Sequence, residues 1–156
     1  MSIEKVRAQF EAFGIAERML EFPVSSATVE LAAKALGTEG ARIAKTLSFY
    51  RGDSCILVVT AGDMKVDNAK FKARFAMKAK MLSPDDALSM TGHAVGGVCP
   101  FALPEGVAVY LDVSLQRFET VFPAVGSANS AIEFTCAELA QYSGGEWVDV
   151  CKPIGG

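Results

Sequence analysis

Residues 43–61 restrict the fold more than any other stretch. IAKTLSFY at 43–50 alternates, with Ile43, Lys45, Leu47 and Phe49 on one side and Ala44, Thr46, Ser48 and Tyr50 on the other. That period of two belongs to a β-strand. Arg51, Gly52 and Asp53 make a turn, and CILVVTA at 55–61 is apolar on both faces, as a central strand covered above and below has to be. Such a hairpin needs more strands beside it and helices over it.

The rest of the chain supplies them. Ile3, Val6, Phe10 and Phe13 recur at helical spacing up to Gly14, and Met19–Phe22 reads as a short edge strand ending at Pro23. Ser25, Ser26 or Thr28 caps a helix bearing Val29, Ala32, Ala33 and Leu36 on one face and ending at Gly37. A helix is expected over Asp67–Phe75 with Ala69, Phe71 and Phe75 inward. Ser83, Pro84 and Asp86 stand at N-cap, N1 and N3 of another, which ends near Met90. Strands are expected at 107–113 and 120–122, with a turn or short helix over Leu115–Phe118 between them. Thr135 and Glu138 form a capping box, stapled by Phe134 and Leu139, and Trp147–Val150 is read as the last strand.

With 156 residues, 51% of them apolar and 21% charged, the chain can build one core without metals or disulfides, so residues 1–156 are read as a single domain. A net charge of −3 excludes a polycation that coats nucleic acid. The charge is lopsided, though, because residues 65–80 carry a local net of +5 through Lys65, Lys70, Lys72, Arg74, Lys78 and Lys80, while residues 81–156 come to −7. Cys55, Cys99, Cys136 and Cys151 form no CxxC pair and His93 stands alone, so neither a metal nor a cofactor is expected. No apolar run is long enough to span a bilayer and the N-terminus lacks a leader pattern, which places the protein in the reducing cytoplasm with no membrane partner.

Few residues are suited to chemistry. Lys45 shares its strand face with Leu47 and Phe49, so it either snorkels to water at the strand end or meets a polar or anionic group in a pocket. Gly96, Gly97, Val98, Cys99 and Pro100 make a loop able to present backbone groups to a ligand, or else a tight structural turn; neither a Walker loop nor GxGxxG occurs. The loop holding Gly126, Ser127 and Asn129 is a plainer turn. His93 and Cys99, six residues apart, could form a thiol dyad only if folding brings base and nucleophile together, and a structural contact is the simpler reading of His93. Cys55 is a core thiol. Cys136, at the first position of the last helix, is a structural residue whose pKa the helix could lower somewhat. Asp85 and Asp86 are first-turn helix acids.

SSATVELAAKALG at 25–37, the lysine within IAKTLSF, TGHAVGGVCPFALP at 91–104 and VGSANSAIEF at 125–134 together resemble the YbaK/EbsC family. That family includes the editing domain inserted in bacterial prolyl-tRNA synthetases and its free-standing relatives. The likeness runs from about residue 5 to residue 150. It implies an α/β domain with a mixed, curved or barrel-like sheet surrounded by helices, and hydrolysis of the ester of a mischarged aminoacyl-tRNA. By resemblance, Lys45, Gly96 and Gly97 carry the catalysis. Val98, Cys99, Pro100, His93, Gly126, Ser127 and Asn129 border the substrate, while the +5 segment, rather than the resemblance, makes Lys70, Lys72 and Lys78 the candidates for the tRNA backbone, unless that run is an ordinary solvated helix face. The expected partner is aminoacylated tRNA, either tRNA(Pro) or another tRNA for a small amino acid, and not DNA, with a homodimer or a transient contact with a synthetase. Cys99 stands where many relatives have a small hydroxyl residue, which leaves the amino acid open among Ala, Ser, Thr, Cys and Pro. A noncatalytic tRNA- or nucleotide-binding module of the same fold is the alternative.

Overall fold

The computed structural model describes residues 2–23 and 28–155. The hairpin forms as the alternation demands: β2 (Ile43–Arg51) and β3 (Ser54–Ala61) pair antiparallel from Ala44 opposite Ala61 to Arg51 opposite Ser54. They are the middle of a six-stranded mixed sheet. β5 (Ala108–Asp112) lies parallel to β3, and β9 (Glu146–Val148) parallel to β5. On the other side β6 (Thr120–Pro123) runs parallel to β2, and β8 (Phe134–Thr135) antiparallel to β6. Two small antiparallel pairs complete the strands: β1 (Leu20–Glu21) with β7 (Ser130–Ala131), and β4 (Met64–Val66) with β10 (Cys151–Pro153). The sheet is curved, a half-barrel with helices around it.

Each sheet face has its own cover. Ala44, Val59, Ala61, Val109 and Leu111 join the main core with Val6 and Phe10 of α1 (Ser2–Phe13), Phe101, and Leu139 of α5 (Cys136–Ser143). On the opposite face Phe49, Ile56, Val58 and Tyr110 pack against Phe71 and Phe75 of α3 (Asn68–Phe75). Each aromatic side chain fully buried in this way contributes about 1.5–3 kcal/mol, which outweighs any single cap or surface ion pair. On the same face α2 (Val29–Leu36) lays Ala32 and Ala33 on Ile43 and Phe122.

The helix punctuation is as the sequence predicts. Thr28 Oγ1 caps α2 by accepting from Leu31 N, and Gly37 ends that helix at φ +68°. Ser83 caps α4 (Pro84–Thr91), and Thr135 with Glu138 forms the capping box of α5. Ser25 and Ser26, the other cap candidates, lie outside the described residues. Two expectations need correction. Ala69 is exposed, since the short α3 has room inward only for Phe71 and Phe75. The C-terminal segment is two strands with a break at 149–150, because Val150 N turns in to donate to the buried Asp112 Oδ1 at 2.9 Å and Val150 O accepts from Asp67 N. Residues 131–134 likewise divide between β7 and β8.

Candidate functional site

The outer edge of β2 is incompletely covered. β6 reaches only Ile43 and Ala44. At the far end residues 80–82 take over: Tyr50 N donates to Lys80 O at 2.9 Å, Leu82 N donates to Ser48 O at 3.1 Å, and Phe49 bridges Met81. Between these two covers, among the described residues, no strand lies alongside residues 45–47. A cavity of about 300 Å³ opens there and is lined from both faces of β2. Val29, Ala32 and Leu36 of α2 line it together with Val95, Gly96, Val98, Ala124, Ser130 and Ala131.

Lys45 and Gly96, 51 positions apart in sequence, therefore line one cavity. Lys45 is half-buried and makes no ion pair or hydrogen bond among the described residues. Burial lowers its pKa from the ordinary lysine value. Two acids, Asp63 and Glu30, lie near enough to favour its charge without pairing with it, and Asp63 is committed to Arg117 at 2.6 Å. An unneutralised cation in a largely apolar cavity is poised for an anion or a developing oxyanion. Among the described residues no carboxylate or imidazole lines that cavity.

The glycine loop divides its work. Gly96, at φ +93°, and Val98 line the cavity, whereas Gly97 is held by packing: a Cβ there would sit 2.9 Å from Ser127 Cα. The loops at 96–100 and 126–130 are thus pressed together by backbone contact. Gly126, at φ +107°, packs in turn on Ile3 of α1. Ser127 Oγ lies 2.8 Å from Ser130 Oγ, and Asn129 Nδ2 donates to Phe22 O at 2.7 Å, so this second loop is stitched to β1 and contributes Ser130 to the cavity. Gly97, Cys99, Pro100, His93, Gly126, Ser127 and Asn129 are not among the lining residues.

His93 and Cys99 do meet, with Nε2 and Sγ 3.5 Å apart, but both are 0% exposed. Nε2 lies 2.7 Å from Phe101 O, a separation that makes it the donor. Burial lowers the pKa of His93 and pushes the Cys99 thiol up to about 12. An inaccessible thiol of that pKa is no nucleophile near neutral pH. The pair instead fastens the loop to Phe101. Burial also raises the pKa of Cys136, against the lowering expected from its helix position.

The +5 segment is not uniform. Lys70 pairs with Asp149 at 3.0 Å and Arg74 with Glu146, so the acidic C-terminal strands neutralise part of α3. Lys72, Lys78 and Lys80 are exposed. Lys78 and Lys80 lead directly into Met81, which is 56% exposed and lines the cavity mouth along with Val95. Sequence reasoning missed Thr46, Ser48, Met81 and the α2 wall. The one available signal was a pair of hydroxyls at 46 and 48 on a strand face otherwise turned to the core.

Among the described residues no cluster of three His, Cys, Asp or Glu side chains could hold a metal ion, and no helix is long and apolar enough to cross a membrane. A sequence model of the aminoacyl-tRNA editing domain matches residues 24–142. "Uncharacterized protein YwhH" of Bacillus subtilis (strain 168) is 54% identical over 154 residues, covering 97% of this chain and 98% of that protein. Among solved structures, "Crystal structure of a putative trans-editing enzyme for prolyl tRNA synthetase" superposes with a TM-score of 0.88 at 27% identity over 97% of both chains. "Crystal structure of hypothetical protein APE2540" gives 0.85 at 29% identity, over 95% of this chain and 99% of that one.

Proposed function

The chain belongs to the aminoacyl-tRNA editing domain family, and on that footing we propose that Lys45 and the Gly96 loop form the site at which it acts as a trans-editing deacylase. The substrate is an aminoacyl-tRNA, and the reaction is hydrolysis of the ester that joins the amino acid to the terminal ribose. The observation that carries the reading is the unpaired Lys45 lining one cavity with Gly96.

Hydrolysis adds water oxygen to the carbonyl carbon and breaks the bond to the ribose oxygen, which leaves with a proton. Lys45 stabilises negative charge on the tetrahedral oxyanion or on the terminal phosphate, and the backbone of the Gly96 loop positions carbonyl and water. No side chain lining the cavity is suited to take the water's proton, so the free ribose hydroxyl beside the ester orients the water and relays it. A cavity of about 300 Å³ walled by Val, Ala, Leu and Ile side chains suits a small amino acid. The name of the similar trans-editing enzyme makes tRNA(Pro) the first carrier to test. Exposed Lys72 and Lys78 are assigned to the tRNA backbone, with Lys70 contributing less because Asp149 already holds it.

The test is release of labelled amino acid from tRNA(Pro) charged in turn with Ala, Ser, Thr, Cys and Pro. Faster release of one small amino acid than of Pro is the expected result. Binding without release of any would leave a noncatalytic module.

A further inference from the structure

The uncovered stretch of β2 carries two hydroxyls that the reaction above does not use. Among the described residues Thr46 Oγ1, which is buried, has no hydrogen-bond partner, and Ser48 Oγ makes no hydrogen bond. Both residues line the cavity. They are two apart on one strand, so they share a face with Tyr50, in whose cluster with Cys55 Val98 packs; Lys45, next to Thr46 in sequence, projects to the other. A buried hydroxyl without a partner costs roughly 1–3 kcal/mol, and folding alone gives no reason to keep it where valine has the same shape.

An aminoacyl ester brings one group that needs acceptors, its α-ammonium. Among the described residues no acidic side chain lines the cavity, and Lys45 repels a second cation on its own side of β2. What remains is the hydroxyl face, where oxygen lone pairs are available and the strand edge separates the two positive charges. We propose that Thr46 and Ser48 seat the α-ammonium of the aminoacyl group, on the face of β2 opposite Lys45. Thr46 reaches it by a χ1 rotation that exchanges its hydroxyl and methyl, groups of similar size. The assignment rests on the deacylase reading and sharpens it: the site selects esters with a free amino group.

The experiment compares the full-length wild type with Thr46→Val, Thr46→Ser and Ser48→Ala, on the aminoacyl-tRNA released fastest in the panel above and on its Nα-acetylated form. Losing a charge-assisted hydrogen bond lowers kcat/KM about 10- to 100-fold, so Thr46→Val and the wild type acting on the acetylated ester should each show a loss of that order. Thr46→Val should lose little more on the acetylated ester, because the ammonium that the hydroxyl would receive is already gone. Thr46→Ser should keep most of the activity, and Thr46→Val should unfold at the wild-type temperature or above, since it removes an unsatisfied buried group. A parental rate for both Thr46→Val and Ser48→Ala overturns the assignment, as does an equal loss on both substrates, which would put the hydroxyls on a group common to the two. Absence of release by the wild type from every charged tRNA overturns the deacylase reading first, and this assignment with it.

Discussion

Replacing Lys45 by methionine separates its two roles. The stem keeps its length, and no partner is orphaned because Lys45 has no ion pair among the described residues. The half-buried stem contributes packing of about 0.8 kcal/mol per fully buried methylene, and methionine retains most of it. The sign of the charge effect follows from burial. Folding lowers the lysine pKa, so the charged form is disfavoured in the native state; that penalty is complete below the lowered pKa and vanishes as pH rises to the ordinary lysine value. Lys45→Met should therefore match or exceed wild-type stability at neutral pH and lose that advantage at alkaline pH. Deacylation should fall about 10- to 150-fold, the equivalent of one charge-assisted hydrogen bond of about 1.5–3 kcal/mol in the transition state. Single-turnover release of labelled amino acid, run beside thermal unfolding, reads both effects. Wild-type activity, corrected for spontaneous hydrolysis, should also decline as pH rises through the lowered pKa, at a lower pH than an ordinary lysine would give. A folded Lys45→Met that releases amino acid at the parental rate would refute the charge's role.

Cys99→Ala should retain deacylation, since a thiol held at about 12 supplies no nucleophile; a trapped acyl-cysteine would reverse this. Lys78→Gln combined with Lys80→Gln should raise the KM for tRNA and make binding less dependent on salt, by about 0.7 in the log–log slope for each single-strand phosphate that the variant leaves unneutralised. Lys70→Gln, already paired with Asp149, should change that slope less, and equal slopes for the two variants would put the tRNA elsewhere. Burial lowers the pKa of His93, so the fold favours the neutral ring, and denaturant stability should fall as pH drops below about 6.5, where the unfolded chain takes up the proton first. His93→Gln should flatten that dependence.

The elements that obey local rules were legible in the sequence. The hairpin followed from alternation in IAKTLSFY against the all-apolar CILVVTA, and Thr28, Ser83 and Thr135 marked helix starts because a cap is an interaction within four residues. Lys45 was legible as an anomaly of that alternation. The break before Cys151 was not, because its cause is a hydrogen bond to Asp112, 38 residues away. Nor could spacing show that Asp149 and Glu146 would return to neutralise Lys70 and Arg74, so a run of positive charge overstated the cationic surface.

The site itself is a property of sheet edges, which is why residue-type reasoning reached only half of it. β6 ends at Pro123, opposite Ala44, and Ala124 after it lies outside the strand. Residues 80–82 begin only at Ser48. An edge left open over so short a span exposes too little backbone to invite a further strand, yet it gives a ligand access to both faces of β2 at once. One strand can then place a cation on one side and two hydroxyls on the other, within a few consecutive rungs. On the proposed reading, opposite charges of a bound aminoacyl ester, the developing oxyanion and the α-ammonium, would be received on opposite faces by neighbouring residues. A β6 extended by one more pairing, at Lys45, would close the opening, so the point at which that strand ends is what leaves the proposed site accessible.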